Sequence, residues 1–144
     1  MSSTHRWRLL WWLWFTALFA LSSIPGNRLG PRPFDWFDKI EHAGFFFLGG
    51  LILGGWLIAA GRWPSRWWVL PLAAAVVGAF DEVHQLFTPG RSGLDPGDWA
   101  ADIVGGTAAL AAVPWLGRWI RRRDPRLHPA TDLTPPSPAP RDAG

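Results

Sequence analysis

The sequence predicts an all-α integral membrane protein, a four-helix bundle with both termini in the cytoplasm. Three observations carry that expectation. The apolar residues are gathered into four long runs, and no stretch has strand periodicity. Twelve tryptophans occur with no tyrosine, and tryptophan belongs where hydrocarbon meets water. The arginines stand at the ends of the apolar runs, mostly at the same alternate ends. At 144 residues the chain is one domain by length, and it shows no internal repeat. The absence of cysteine excludes disulfides, thiolate metal ligands, a cysteine nucleophile and a lipoprotein anchor. A net charge of +3 could suit nucleic acid. The basic residues flank apolar runs instead of lining a basic helix, so they read as topology signals and no nucleic-acid partner is expected.

The first helix is expected at about residues 7–24, behind Arg6 and Arg8. Its length approaches the roughly 20 residues needed to span a bilayer. A cleaved signal peptide would have a similar basic start and small residues near Ala20 to Ser23. The cluster Trp11, Trp12 and Trp14 suits a retained anchor better. Residues 24–37 form a loop, marked by Pro25, Gly26, Asn27, Gly30, Pro31 and Pro33. Asp35 is expected to cap the second helix, about 39–60, with Asp38 in or near its first turn. This helix is rich in glycine, and Gly50 and Gly54 form a small-xxx-small pair that admits another helix backbone. The loop at 61–66 holds Arg62, Pro64 and Arg66.

The third helix, about 67–87, tolerates Pro71 in its first turn. Residues 88–97 form another loop. The fourth helix, about 98–117, is interrupted only by Asp102 and by Pro114 near its end. A basic cluster from Arg118 to Arg126 follows as a stop-transfer signal. The transmembrane domain is thus residues 1–124, and 125–144 is a proline-rich tail too poor in core-forming residues to fold.

Four helices return the chain to the side on which it began. That side carries Arg6, Arg8, Arg62, Arg66 and the basic cluster, and the other carries only Arg28, Arg32, Lys39 and Arg91. The positive-inside rule then puts the termini in the cytoplasm. It gathers Asp38, Lys39, His42, Asp81, Glu82, Gln85, Arg91, Ser92, Asp98 and Asp102 on the extracytoplasmic face. Asp38 and His42 are four apart, as are Asp81 and Gln85, and Asp98 and Asp102, so each pair shares a helix face. Gly105 and Gly106 lie a turn deeper, where small residues allow close packing. Lys39 and Arg91 are the available counter-charges, and Arg91 can hold a carboxylate or phosphate bidentately. Glu41, Asp35 and Asp95 are expected to be solvated loop or cap residues, and His84 an ordinary interfacial histidine.

At these residues the chain resembles the VanZ-like family of bacterial membrane proteins. Asp38, Lys39 and His42 match its Asp-Lys-x-x-His, and Asp81, Glu82 and Gln85 match its Asp-Glu-x-x-Gln. Pro89, Gly90, Arg91 and Ser92 match a Pro-Gly-Arg-x loop, and Asp98, Asp102 and Gly105 or Gly106 fill the last-helix positions. Asp102 departs from the pattern, which has asparagine more often. The resemblance covers about residues 8–120 and implies a role near the cell wall, since the family's namesake is associated with low-level teicoplanin resistance. It implies no settled reaction.

The expected function is therefore binding at the inner membrane's outer face. The ligand class is an anionic lipid-linked cell-wall precursor or a glycopeptide, with the bilayer as the other partner. A second class is a membrane-embedded acid–base or metal-dependent enzyme acting on a lipid-linked envelope substrate. No H-E-x-x-H or G-x-S-x-G motif is present, and no metal-ligand set or cofactor is readable from spacing. A third class, an ion-coupled transporter, would place carboxylates across the midplane instead of at one face. The bland alternative makes Asp38–Lys39 and Glu82–Arg91 ion pairs that fasten helix ends.

Overall fold

A computed structural model describes residues 1–123, and the proline-rich tail expected at 125–144 lies outside them. Among the described residues there are four α-helices and no strand. These are α1 (Ser3–Ser22), α2 (Phe37–Ala59), α3 (Val69–Gln85) and α4 (Pro96–Arg123), with one short 3-10 turn at Gly26–Arg28.

The boundaries follow caps more closely than apolar runs. Helix α1 starts at Ser3, ahead of its apolar run, because the Ser2 hydroxyl accepts the His5 N–H at 3.2 Å. It ends at Ser22, and the Ser23 hydroxyl donates back to the Phe19 carbonyl at 2.7 Å. Asp35 does not cap α2. Trp36 holds that position with no side-chain bond, and Asp38 sits in the first turn. Helix α3 is 17 residues long, shorter at both ends than the apolar run suggests, because tight turns take up residues 61–68 before it and 86–90 after it. Helix α4 begins on Pro96, and the Asp95 carboxylate accepts the Gly97 N–H at 2.7 Å and the Asp98 N–H at 3.4 Å. Nor does Pro114 end this helix, which continues to Arg123. Val113, Gly117 and Ile120 on either side of the proline are packed inward, Gly117 against Ile58. That tertiary packing outweighs the hydrogen bond the proline removes.

Helices α2 and α4 run parallel and form the tightest pair. A Cβ on Gly50 would fall 2.6 Å from the Ala109 methyl, and one on Gly54 would fall 2.3 Å from Val113. Gly105 lies against the Ala43 carbonyl, and Gly106 against Ala74 of α3. Leu53, Leu57, Leu70, Ala109, Val113 and Ile120 close the core on this side. Helix α1 runs the other way over α2, its Trp14 indole donating to the Phe45 carbonyl at 3.0 Å. Trp99 ties α4 to α3 in the same manner, through the Ala75 carbonyl at 2.9 Å.

By length and composition, α2 and α4 can cross a membrane. The outer surface is apolar on all four helices: Leu13 and Phe19, Leu48, Val76 and Phe80, and Val104 are exposed. In α3 the usual arrangement is inverted, with Val76, Phe80 and Val83 outside and Asp81, Glu82 and Gln85 buried.

Candidate functional site

The polar residues meet where α1 and α3 end and α2 and α4 begin. Because α2 and α4 start at the same end, their first turns make two rungs. In the first, Lys39 donates to Asp98 at 2.8 Å, and also reaches Asp95 at 2.9 Å and Asp38 at 3.5 Å. In the second, one turn deeper, His42 Nδ1 stands 2.9 Å from Asp102 Oδ1. Its Nε2 is 3.9 Å from Asp98 Oδ2. The Lys39 ammonium beside Asp95 holds that carboxyl below the usual carboxylate range.

Helix α3 supplies the opposite wall. Asp81 accepts from the Ser22 hydroxyl on one oxygen and from Gln85 Nε2 at 2.8 Å on the other. Arg91 donates twice to Gln85 Oε1, at 3.0 and 2.8 Å. The guanidinium is thus linked to Asp81 through an amide. Glu82 makes no ion pair with Arg91. Its Oε2 accepts the Asp95 N–H at 2.6 Å, and its Oε1 is buried without a partner. Asp102 Oδ2 is likewise buried without a partner. Glu82 and Asp102 are 2% and 0% exposed, so neither orphan oxygen is hydrated from bulk water.

Three of these participants carry no signal in local spacing. Ser22 reaches Asp81 across the fold from the end of an apolar run. Asp95 caps α4 as its loop position suggests, but it is also a Lys39 partner. Gly78 makes room for Asp102, since a Cβ there would fall 2.6 Å from Oδ2. Asp38 pairs with Arg32 at 2.9 Å and lines the smaller of two cavities here, whereas His42 lines the larger. Ser92 is exposed. His84 stands apart from the cluster, stacked 4.0 Å from Phe19 and 3.0 Å from the Ser23 hydroxyl.

Two cavities open onto this cluster. The larger, about 380 Å³, has an apolar wall that includes Leu18, Leu21, Phe45 and Phe46, and a polar floor of Ser22, His42 and Asp81. The smaller, about 300 Å³, is lined by Asp38, Gln85, Ser92 and Asp98 among others. They share Leu29, Gly30, Arg32 and Arg91. The connection between α1 and α2 is held over the site by two bonds. Gly26 N–H donates to the Pro89 carbonyl at 2.9 Å, and the Thr88 hydroxyl to the Ser22 carbonyl at 3.1 Å.

Comparison of the chain with protein families, with curated proteins and with solved structures returned no match.

The chemistry of the site follows from its charge. Asp81, Glu82, Asp98 and Asp102 are all buried. Lys39 serves Asp98 and His42 serves Asp102, while the hydrogen-bond partners of Asp81 and Glu82 are neutral donors. Buried carboxylates without a counter-charge are costly. Such a site is suited to take up a cation or protons, with two arginines at the cavity boundary to meet an anion.

Proposed function

We propose that the chain is a VanZ-like integral membrane protein of the bacterial cell envelope that binds an anionic amphiphile at the outer face of the cytoplasmic membrane. All four helices span the bilayer in this reading, and both termini are cytoplasmic. The ligand is a lipid-linked cell-wall precursor or a glycopeptide, consistent with a teicoplanin-resistance-like role. The observation that carries it is the pair of cavities meeting at Arg32 and Arg91. An apolar chamber suits an acyl or prenyl chain, and a polar chamber one side-chain layer away suits a charged head group. Arginine is the side chain that meets phosphate and carboxylate bidentately. The inverted surface of α3 supports a lipid environment, because its outward residues suit hydrocarbon and its inward ones do not.

The test is binding of a lipid-linked cell-wall precursor to the protein in nanodiscs of zwitterionic lipid. Loss of one charge-assisted contact, roughly 1.5–3 kcal/mol, predicts about ten- to a hundredfold weaker binding by Arg91→Ala with helical content unchanged. Failure of the folded wild type to bind any anionic envelope lipid would sink the proposal. A second reading, an acid–base enzyme acting on a lipid-linked substrate, draws on His42, which lines the larger cavity and is backed by Asp102.

A further inference from the structure

We propose that His42, Asp81 and Glu82 bind one divalent transition-metal cation at the floor of the larger cavity, with Asp102 orienting the histidine. One ligand atom from each of the three lies within 4.8 Å of the others. Ligand atoms at about 2.1 Å from a metal stand roughly 3.4 Å apart in a tetrahedral set and no more than about 4.2 Å apart in any. The cluster therefore needs only a small side-chain adjustment to close on an ion.

Three further observations point to a cation. The first is the orphan oxygen. Glu82 Oε1 is buried with no partner, while the other oxygen of the same carboxylate is fixed by the Asp95 N–H. The carboxylate is thus held in place with one free ligand position. The second is the histidine. Asp102 Oδ1 stands 2.9 Å from Nδ1, and an ionised carboxylate can only accept, so a neutral ring bears its proton on Nδ1 and its lone pair on Nε2. A carboxylate behind a ligating imidazole is the usual arrangement in metal sites, where it fixes tautomer and ring orientation. The third is charge. Asp81, Glu82 and Asp102 are buried, and His42 is the only basic side chain among their hydrogen-bond and ion-pair partners within the described residues. Lys39 is committed to Asp98, Asp95 and Asp38. A dication would neutralise the excess. One imidazole and two carboxylates, with no sulfur, suit Zn²⁺ or Mn²⁺. His42 and Asp81 both line the cavity, so open coordination positions would face it.

The site rests on the protein's own side chains, and its test needs no lipid ligand, so it stands or falls separately from the lipid-binding reading. Protein purified in detergent with chelator is reloaded with Zn²⁺ or Mn²⁺, and metal is counted per chain after gel filtration. Affinity is measured by competition with a chromogenic chelator. The expected result is about one ion per chain, with Asp102→Asn weakening affinity ten- to a hundredfold and Glu82→Gln or His42→Ala weakening it more than about a hundredfold. Glu41→Gln, also on the cavity but outside the cluster, should leave affinity unchanged. No uptake by the folded wild type would overturn the proposal, and so would uptake that survives both His42→Ala and Glu82→Gln. If those variants do not fold, pulsed electron paramagnetic resonance of Mn²⁺ on the wild type decides. A ¹⁴N coupling from one histidine supports the site, and couplings to water protons alone overturn it.

Discussion

Replacing Gly105 with alanine would place a methyl group 2.1 Å from the Ala43 carbonyl oxygen and 2.7 Å from its carbon. Both are backbone atoms, so no rotamer change can relieve the clash. An ordinary carbon–oxygen contact is more than about 3.3 Å, so α2 and α4 must separate locally by over 1 Å, on the order of 1.2 Å. Overpacking of this kind costs about 1–3 kcal/mol. The displacement also falls on the site. Ala43 adjoins His42, and Asp102 lies one turn before Gly105. The 2.9 Å bond between His42 and Asp102 would therefore stretch beyond hydrogen-bond range. Losing a bond to a charged group adds roughly 1.5–3 kcal/mol. The expected destabilisation is about 2.5–6 kcal/mol, a fall in Tm on the order of 10 °C. Gly44→Ala is the internal control. It lies in the same helix one residue from Ala43, and a Cβ there meets nothing within 4 Å. Alanine at that position should be neutral or stabilising by up to about 1 kcal/mol. Thermal unfolding in one detergent, read by circular dichroism, compares the two variants. If Gly105→Ala melts no lower than Gly44→Ala, the close packing of α2 on α4 is wrong.

Two other perturbations test the charges directly. Lys39→Met removes the cation shared by Asp98 and Asp95. It should cost about 2 kcal/mol, less than the roughly 3–5 for a fully buried pair, because Lys39 is one-third exposed. The same substitution should flatten the acid limb of the stability profile. A depressed carboxyl contributes stability that is complete above its unfolded value of about 3.9 and is lost as pH falls through the folded value. Tm of the wild type should therefore fall below about pH 4 partly through Asp95, and Asp95→Asn should lose less there. An unchanged acid limb in both variants would contradict the Lys39–Asp95 link. At the level of the cell, a sensitive host expressing the wild type should be protected from teicoplanin, and one expressing Glu82→Ala at matched membrane level should not. Absence of protection at good expression would detach the chain from the resistance role.

How much of this was legible depended on how local each signal was. Four apolar runs gave four helices because burial and helix length are properties of continuous sequence. The ends were less legible. Ser2 caps α1 from outside the apolar run, and α4 passes through Pro114 because Val113, Gly117 and Ile120 are held by tertiary packing. The pairing of Asp98 with Asp102 by spacing gave the correct helix but not the partners. The two aspartates serve different rungs, Lys39 and His42. Arg91 was readable as a counter-charge for Glu82, yet it binds the neutral Gln85, because Glu82 turns toward the Asp95 N–H. Ser22 and Gly78 could not be found from spacing at all. Each acts on a carboxylate of another helix, and nothing within a few residues of either marks the contact.

Helix α3 joins these two kinds of residue. Gly78, Asp81, Glu82 and Gln85 recur at three- and four-residue intervals and form one buried stripe. A soluble helix would fill such a stripe with leucine. Here the glycine leaves space for Asp102, and the next turn supplies two more carboxylates. The stabilising contacts lie further along the bundle, where Gly50 and Gly54 bring α2 onto Ala109 and Val113 without a polar group between them. Apolar packing and clustered charge are thereby segregated along the helix axes: apolar contact at one end offsets the cost of buried carboxylates at the other. Substitutions at Gly54 should therefore change stability with little effect on metal affinity per folded molecule. Asp102→Asn should do the reverse. At Gly105 both respond together, since it touches the α2 backbone beside His42.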